Sequence, residues 1–87
     1  MENSTILIVD DEANILQALK RVFRREPYRV LTASSGAEGV EILQKEHVDL
    51  IISDQRMPEI SGTQFLARAK ELYPETIRII LSGSFSN

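Results

Sequence analysis

The chain has no cysteine, no tryptophan and a single histidine, and none of its apolar runs is longer than a strand. Without cysteine there can be neither a disulfide nor a thiolate metal centre, which fits a reducing compartment. No stretch approaches the ~20 apolar residues that cross a bilayer, and the first residues lack the basic-then-apolar pattern of a secretory signal. An excess of positive charge is missing too. Ten Lys and Arg against thirteen Asp and Glu leave a net charge of -3, which gives no electrostatic footprint for nucleic acid. The expectation is a soluble, cytoplasmic, acidic domain with no direct nucleic-acid or membrane contact. Its 87 residues make one small domain that buries roughly 60% of its unfolded surface.

What is present is an alternation of strand and helix signals. Thr5–Val9 is an uninterrupted apolar run, as expected for a strand covered on both faces. Ile15, Leu16, Leu19, Val22 and Phe23 form one helical stripe opposite Gln17, Lys20, Arg21 and Arg24. Pro27 ends that helix, with Arg24 and Arg25 in its last turn suiting the dipole. A second strand is predicted over Arg29–Ala33. Ser35 with Glu38 is a capping-box signature that opens a helix to about Lys45, weakened by about 1 kcal/mol at Gly39. The third strand is expected over Val48–Ser53, followed by a loop over Met57–Gly62. Phe65, Leu66, Ala69 and Leu72 mark a third helix that stops before Pro74, and Ile77–Leu81 is the fourth strand, ending in Ser82-Gly83. This order implies right-handed βαβ units and a parallel sheet. Neither Gly-x-Gly-x-x-Gly nor a Walker-type Gly-Lys-Ser/Thr is present, which argues against a dinucleotide or P-loop site.

Asp10 and Asp11 directly follow the first apolar run and Asp54 follows the third. If those strands are parallel neighbours, the three carboxylates meet in the crevice at the strands' carboxyl ends, where open α/β sheets bind ligands. Gathering like charges is unfavourable unless a cation neutralises them, so the cluster points to a divalent metal.

Asp10-Asp11-Glu12, Asp54-Gln55-Arg56-Met57-Pro58, Gly62 and Ser82-Gly83, each at a strand end or the loop after it, together resemble the receiver domain of bacterial two-component response regulators. The resemblance covers the whole chain. It implies a flavodoxin-like α/β fold with an open parallel sheet, here about four strands in the order 2-1-3-4 with three helices. It implies that Asp54 is the phospho-acceptor, receiving a phosphoryl group from a histidine kinase or phosphotransfer protein as an acyl phosphate. Asp10, Asp11, Asp54 and the backbone carbonyl of Arg56 would hold Mg²⁺. Ser82 would hydrogen-bond a phosphoryl oxygen as the switch hydroxyl, and Gly83 would stay small for access. The implied role is a signal-transducing phosphoprotein of a phosphorelay, not an enzyme acting on an outside substrate. It would control an output domain elsewhere, and Gln55-Arg56 is similar to receivers fused to phosphohydrolase or transcription-activator outputs.

The family pattern continues with a fourth helix, a fifth strand ending in a phosphoryl-contacting lysine, and a fifth helix. Residues 1–87 would thus form about the first two-thirds of a receiver. Lys20, Lys45 and Lys70 fall on predicted helices and do not replace that lysine. The fourth strand would be an exposed apolar edge through Ile77, Ile79, Ile80 and Leu81, so a dimer or swapped oligomer through it is expected. Other readings stay open. Asp10 or Asp11 could cap a helix, Asp54 a turn, and Ser82-Gly83 could be ordinary turn chemistry. His47 reads as solvated, and the basic face of the first helix as solvated or touching a kinase. At the level of function, the alternatives are a degenerate receiver acting as a binding platform and an aspartate-nucleophile phosphohydrolase. The latter wants Asp-x-Asp after the first strand, which Asp10-Asp11-Glu12 does not supply.

Overall fold

Residues 4–24 and 27–81 are described by the computed structural model. The alternating pattern resolves into β1 (Thr5–Val9), α1 (Ala13–Phe23), β2 (Arg29–Ala33), α2 (Gly36–Lys45), β3 (Leu50–Asp54), α3 (Gly62–Leu72) and β4 (Ile77–Leu81). All strand pairs are parallel, in the order β2-β1-β3-β4. This is the open sheet expected from the sequence. β1 is central and buried throughout, which explains why its sequence is apolar at consecutive rather than alternate positions.

Period-two alternation divides the strand residues between two apolar layers. Leu7, Val9, Ala33 and Ile51 pack with Leu43, Phe65, Leu66 and Ala69 from α2 and α3. Ile6, Ile8 and Ile52 pack with Leu16 from α1, flanked by Leu19, Phe23 and Val30. Among the described residues, Phe65 is the largest fully buried side chain. A Cβ on Gly39 would stand 2.8 Å from its ring. The glycine that weakens α2 as an isolated helix is therefore what lets α2 approach α3.

The first helix is open on one flank. Leu16 is buried, but Ile15 is 38% and Val22 64% exposed. α1 lies over β1 and β2, so one part of its stripe has no sheet beneath it. The same face of β4 is open, with Ile77, Ile79 and Leu81 exposed. Arg25 lies outside the described residues, and Lys20 and Arg21 occupy the last turn. β3 begins at Leu50 and includes Asp54, instead of running from Val48 to Ser53. Its register with β1 starts at Ile6↔Leu50, while the Asp49 side chain turns to accept the Thr5 N–H at 2.8 Å.

The helix starts also refine the reading. Ser35 Oγ accepts the Glu38 N–H at 3.1 Å. Glu38 bonds the Ser34 N–H and hydroxyl, at 2.7 and 3.0 Å, rather than returning to Ser35. The full reciprocal box is at α3: Ser61 Oγ accepts from Gln64 N, and Gln64 Oε1 accepts from Ser61 N. Ser-x-x-Gln was visible in the sequence there, but Pro58 and Gly62 made it read as loop.

Candidate metal centre

Parallel pairing sets Val9 opposite Ser53. The residue after each is an aspartate, Asp10 just past β1 and Asp54 the last of β3, so the two come level at the carboxyl end of the sheet, with Asp11 beside them. One carboxylate oxygen from each of Asp10, Asp11 and Asp54 lies within 4.8 Å of the others. Asp10 is buried, Asp54 half-buried and Asp11 exposed, which grades the cluster from the sheet outwards.

Asp10 is fixed from two sides. Its N–H donates to the Ala33 carbonyl at 3.1 Å, and its Oδ1 accepts the Glu12 N–H at 2.9 Å. That second bond is an Asx turn rather than a helix cap. The N-cap of α1 is Glu12, whose side chain makes no capping bond. The helix-cap reading of Asp10 thus gives way to a carboxylate with one oxygen committed locally. Burial raises the Asp10 pKa, the Glu12 N–H lowers it, and the charges of Asp54, Asp11 and Glu12 raise it again, for a net increase. A carboxylate held against its preference beside two others is a ready partner for a hard cation.

The donor set consists of oxygen only and leaves room for water, as Mg²⁺ prefers. These residues fit the ion on chemistry and spacing. Arg56 stands two residues beyond Asp54 at the start of the next loop, with its side chain exposed. Ser82 and Gly83 lie outside the described residues. His47 is far from the acids in the fold, solvent-facing, and pairs with Asp49 at 3.0 Å. A cavity of about 550 Å³ opens near that pair, lined by Leu43, Leu72, Tyr73 and Ile77 among others. None of the three clustered acids lines it.

The sequence reading missed how the β3–α3 loop is held. Gln55 Oε1 accepts from both the N–H and the hydroxyl of Thr63, each at 2.8 Å. The Gln55 carbonyl accepts the Gly62 N–H at 2.9 Å. No spacing rule joins Gln55 to Thr63, because their meeting depends on the path of the intervening loop.

Comparisons with known proteins agree with this arrangement. The family model for the response regulator receiver domain matches residues 6–87. The hydrogenase transcriptional regulatory protein HoxA of Cupriavidus necator is 43% identical over 82 residues, covering 94% of this chain and 17% of that protein. The chain therefore spans about one-sixth of that relative's length. The signal receiver domain of an HD domain-containing protein from Pseudomonas fluorescens superposes with a TM-score of 0.92 at 34% identity, covering 98% of this chain and 68% of that one. The response regulator TrrA of Thermotoga maritima, solved in complex with Mg²⁺-BeF, gives a TM-score of 0.88 at 33% identity, covering 94% of this chain and 71% of that one.

Proposed function

This chain belongs to the response regulator receiver domain family, and from that premise we propose that it accepts a phosphoryl group on Asp54. The observation that carries the proposal is the convergence of Asp10, Asp11 and Asp54 within 4.8 Å at the carboxyl end of the sheet. Asp10 and Asp11, with Asp54 and the Arg56 backbone carbonyl, would hold Mg²⁺. The ion would supply charge neutralisation for carboxylates and phosphoryl oxygens.

An Asp54 carboxylate oxygen forms the new O–P bond as the P–N bond of a partner's phosphohistidine breaks, and the imidazole leaves carrying the electron pair. Burial and the Glu12 N–H keep Asp10 from swinging away from Asp54. In this proposal the Ser82 hydroxyl donates to a phosphoryl oxygen, and the Arg56 side chain, exposed beside the acceptor, influences how long the acyl phosphate survives. The donor is a histidine kinase or phosphotransfer protein, and the recipient of the signal is an output domain outside these residues. Residues 1–87 then correspond to the amino-terminal two-thirds of a receiver, working in the cytoplasm without turnover of an outside substrate. Among the described residues β4 is the outer strand, and its exposed Ile77, Ile79 and Leu81 support pairing of these residues with a second copy. A monomer by light scattering at micromolar concentration would remove that assembly.

Incubation with acetyl phosphate and Mg²⁺ followed by intact mass tests the assignment. One phosphate adduct is expected, absent in Asp54→Ala and absent in chelator. No adduct under any condition would leave a binding platform, and turnover of a phosphomonoester would indicate a phosphohydrolase.

A further inference from the structure

Four N–H groups at the start of a helix have no intrahelical partner, and at α3 two of them are taken by one residue, Gln55. The Gly62 N–H donates to the Gln55 backbone carbonyl and the Thr63 N–H to the Gln55 side-chain oxygen, at 2.9 and 2.8 Å. The Thr63 hydroxyl donates to that same oxygen. The next N–H, of Gln64, is taken by Ser61 Oγ. The residue between Asp54 and Arg56 is thereby bound to the helix through both its backbone and its side chain.

The approach is closer than any side chain at position 62 would allow. A Cβ on Gly62 would stand 2.2 Å from the Asp54 carbonyl oxygen and 3.0 Å from the Gln55 Cα. The first turn of α3 therefore rests directly on the peptide that follows the acceptor. Thr63 is exposed and Gln55 only half-buried, so this pair adds little to the apolar core. It ties the backbone of Gln55, between Asp54 and Arg56, to the first turn of α3.

We propose that Gln55 is a positioning residue, whose clasp on Thr63 holds Asp54 and the Arg56 carbonyl in the arrangement that takes up the cation. The inference rests on the reading of the acid cluster as a Mg²⁺ site. It extends that reading to a residue that touches neither the ion nor the phosphoryl group.

The test is a MgCl₂ titration followed by amide NMR shifts of Asp10, Asp11 and Asp54 in the wild type, Gln55→Ala, Thr63→Val and Thr63→Ser. Gln55→Ala should weaken Mg²⁺ affinity about three- to tenfold, the scale of one net hydrogen bond. Thr63→Val, which keeps the N–H but loses the hydroxyl, should weaken it less, and Thr63→Ser should restore wild-type affinity. A merely structural role would not produce that rescue. In Gln55→Ala without metal, the amide of Thr63 should shift while those of β1 stay in place. Wild-type affinity in Gln55→Ala, or Thr63→Ser as weak as Thr63→Val, overturns the clasp alone. A wild type with no saturable response overturns the metal reading and the clasp together. Should Gln55→Ala fail to fold, the exposed Thr63 variants decide the question by themselves.

Discussion

Asp10→Asn should make the metal-free fold more stable and abolish its response to Mg²⁺. Asp10 is only 6% exposed, and its carboxylate lies within 4.8 Å of those of Asp11 and Asp54. At that separation two like charges repel by about 0.9 kcal/mol in water and about 3.5 kcal/mol at an effective dielectric of 20. Asp11 is exposed and Asp54 half-buried, which draws the figure towards the lower end. Removing one charge should then stabilise the apo fold by about 1–2 kcal/mol. The asparagine carbonyl can still accept the Glu12 N–H, so the local turn is kept. For a domain of this size each kcal/mol moves the melting temperature by about 4–8 °C. Melting followed by circular dichroism, first in EDTA and then in MgCl₂, reads both effects. The wild type should gain stability on adding Mg²⁺, because a ligand bound only by the folded state stabilises it. Asp10→Asn should start higher and gain nothing. A variant that melts below wild type in EDTA, or that gains as much from Mg²⁺, would refute the reasoning.

Other expectations come from the loops and from the far end of the sheet. Glu59 has φ 74, and the Ile60 N–H donates to the Pro58 carbonyl at 2.8 Å across it, a γ-turn strained for a residue with a side chain. Glu59→Gly should stabilise by about 1 kcal/mol net in urea unfolding, after the extra freedom of glycine in the unfolded chain is counted; a loss of stability contradicts this. Asp49 has its pKa lowered, first by the Thr5 N–H and then, against some desolvation, by His47. A depressed folded pKa gives stability that is present above the ordinary carboxylate value and lost as pH falls through the folded one. Asp49→Asn should therefore flatten the acid limb of a stability–pH curve, and an unchanged limb would remove the assignment. Arg56→Ala should change the decay rate of the Asp54 phosphate measured by intact mass, and an equal lifetime counts against a role for that side chain.

The sheet was legible because its order depends on signals that are local in sequence. Consecutive apolar residues in Thr5–Val9 identify a strand buried on both faces, and helix stripes between strands force parallel crossovers. Asp10, Asp11 and Asp54 were legible for the same reason: each sits at a strand end, and parallel neighbours bring those ends together. The exposure of Ile15 and Val22 could not be read from periodicity, which marks an apolar face without saying what covers it. Gly39 was misleading when judged by helix propensity alone, because its role is set by the Phe65 ring of another helix. The Gln55–Thr63 clasp escaped because it depends on a loop path, and the Ser61–Gln64 box because Pro and Gly outweighed it in the reading.

The most direct measurement is calorimetric titration of Mg²⁺ into the folded wild-type chain at neutral pH, with Asp54→Asn alongside. Three convergent carboxylates predict a single saturable site in the wild type and a strongly weakened one in the variant. A flat titration of folded wild type, or equal uptake by both proteins, would contradict the account.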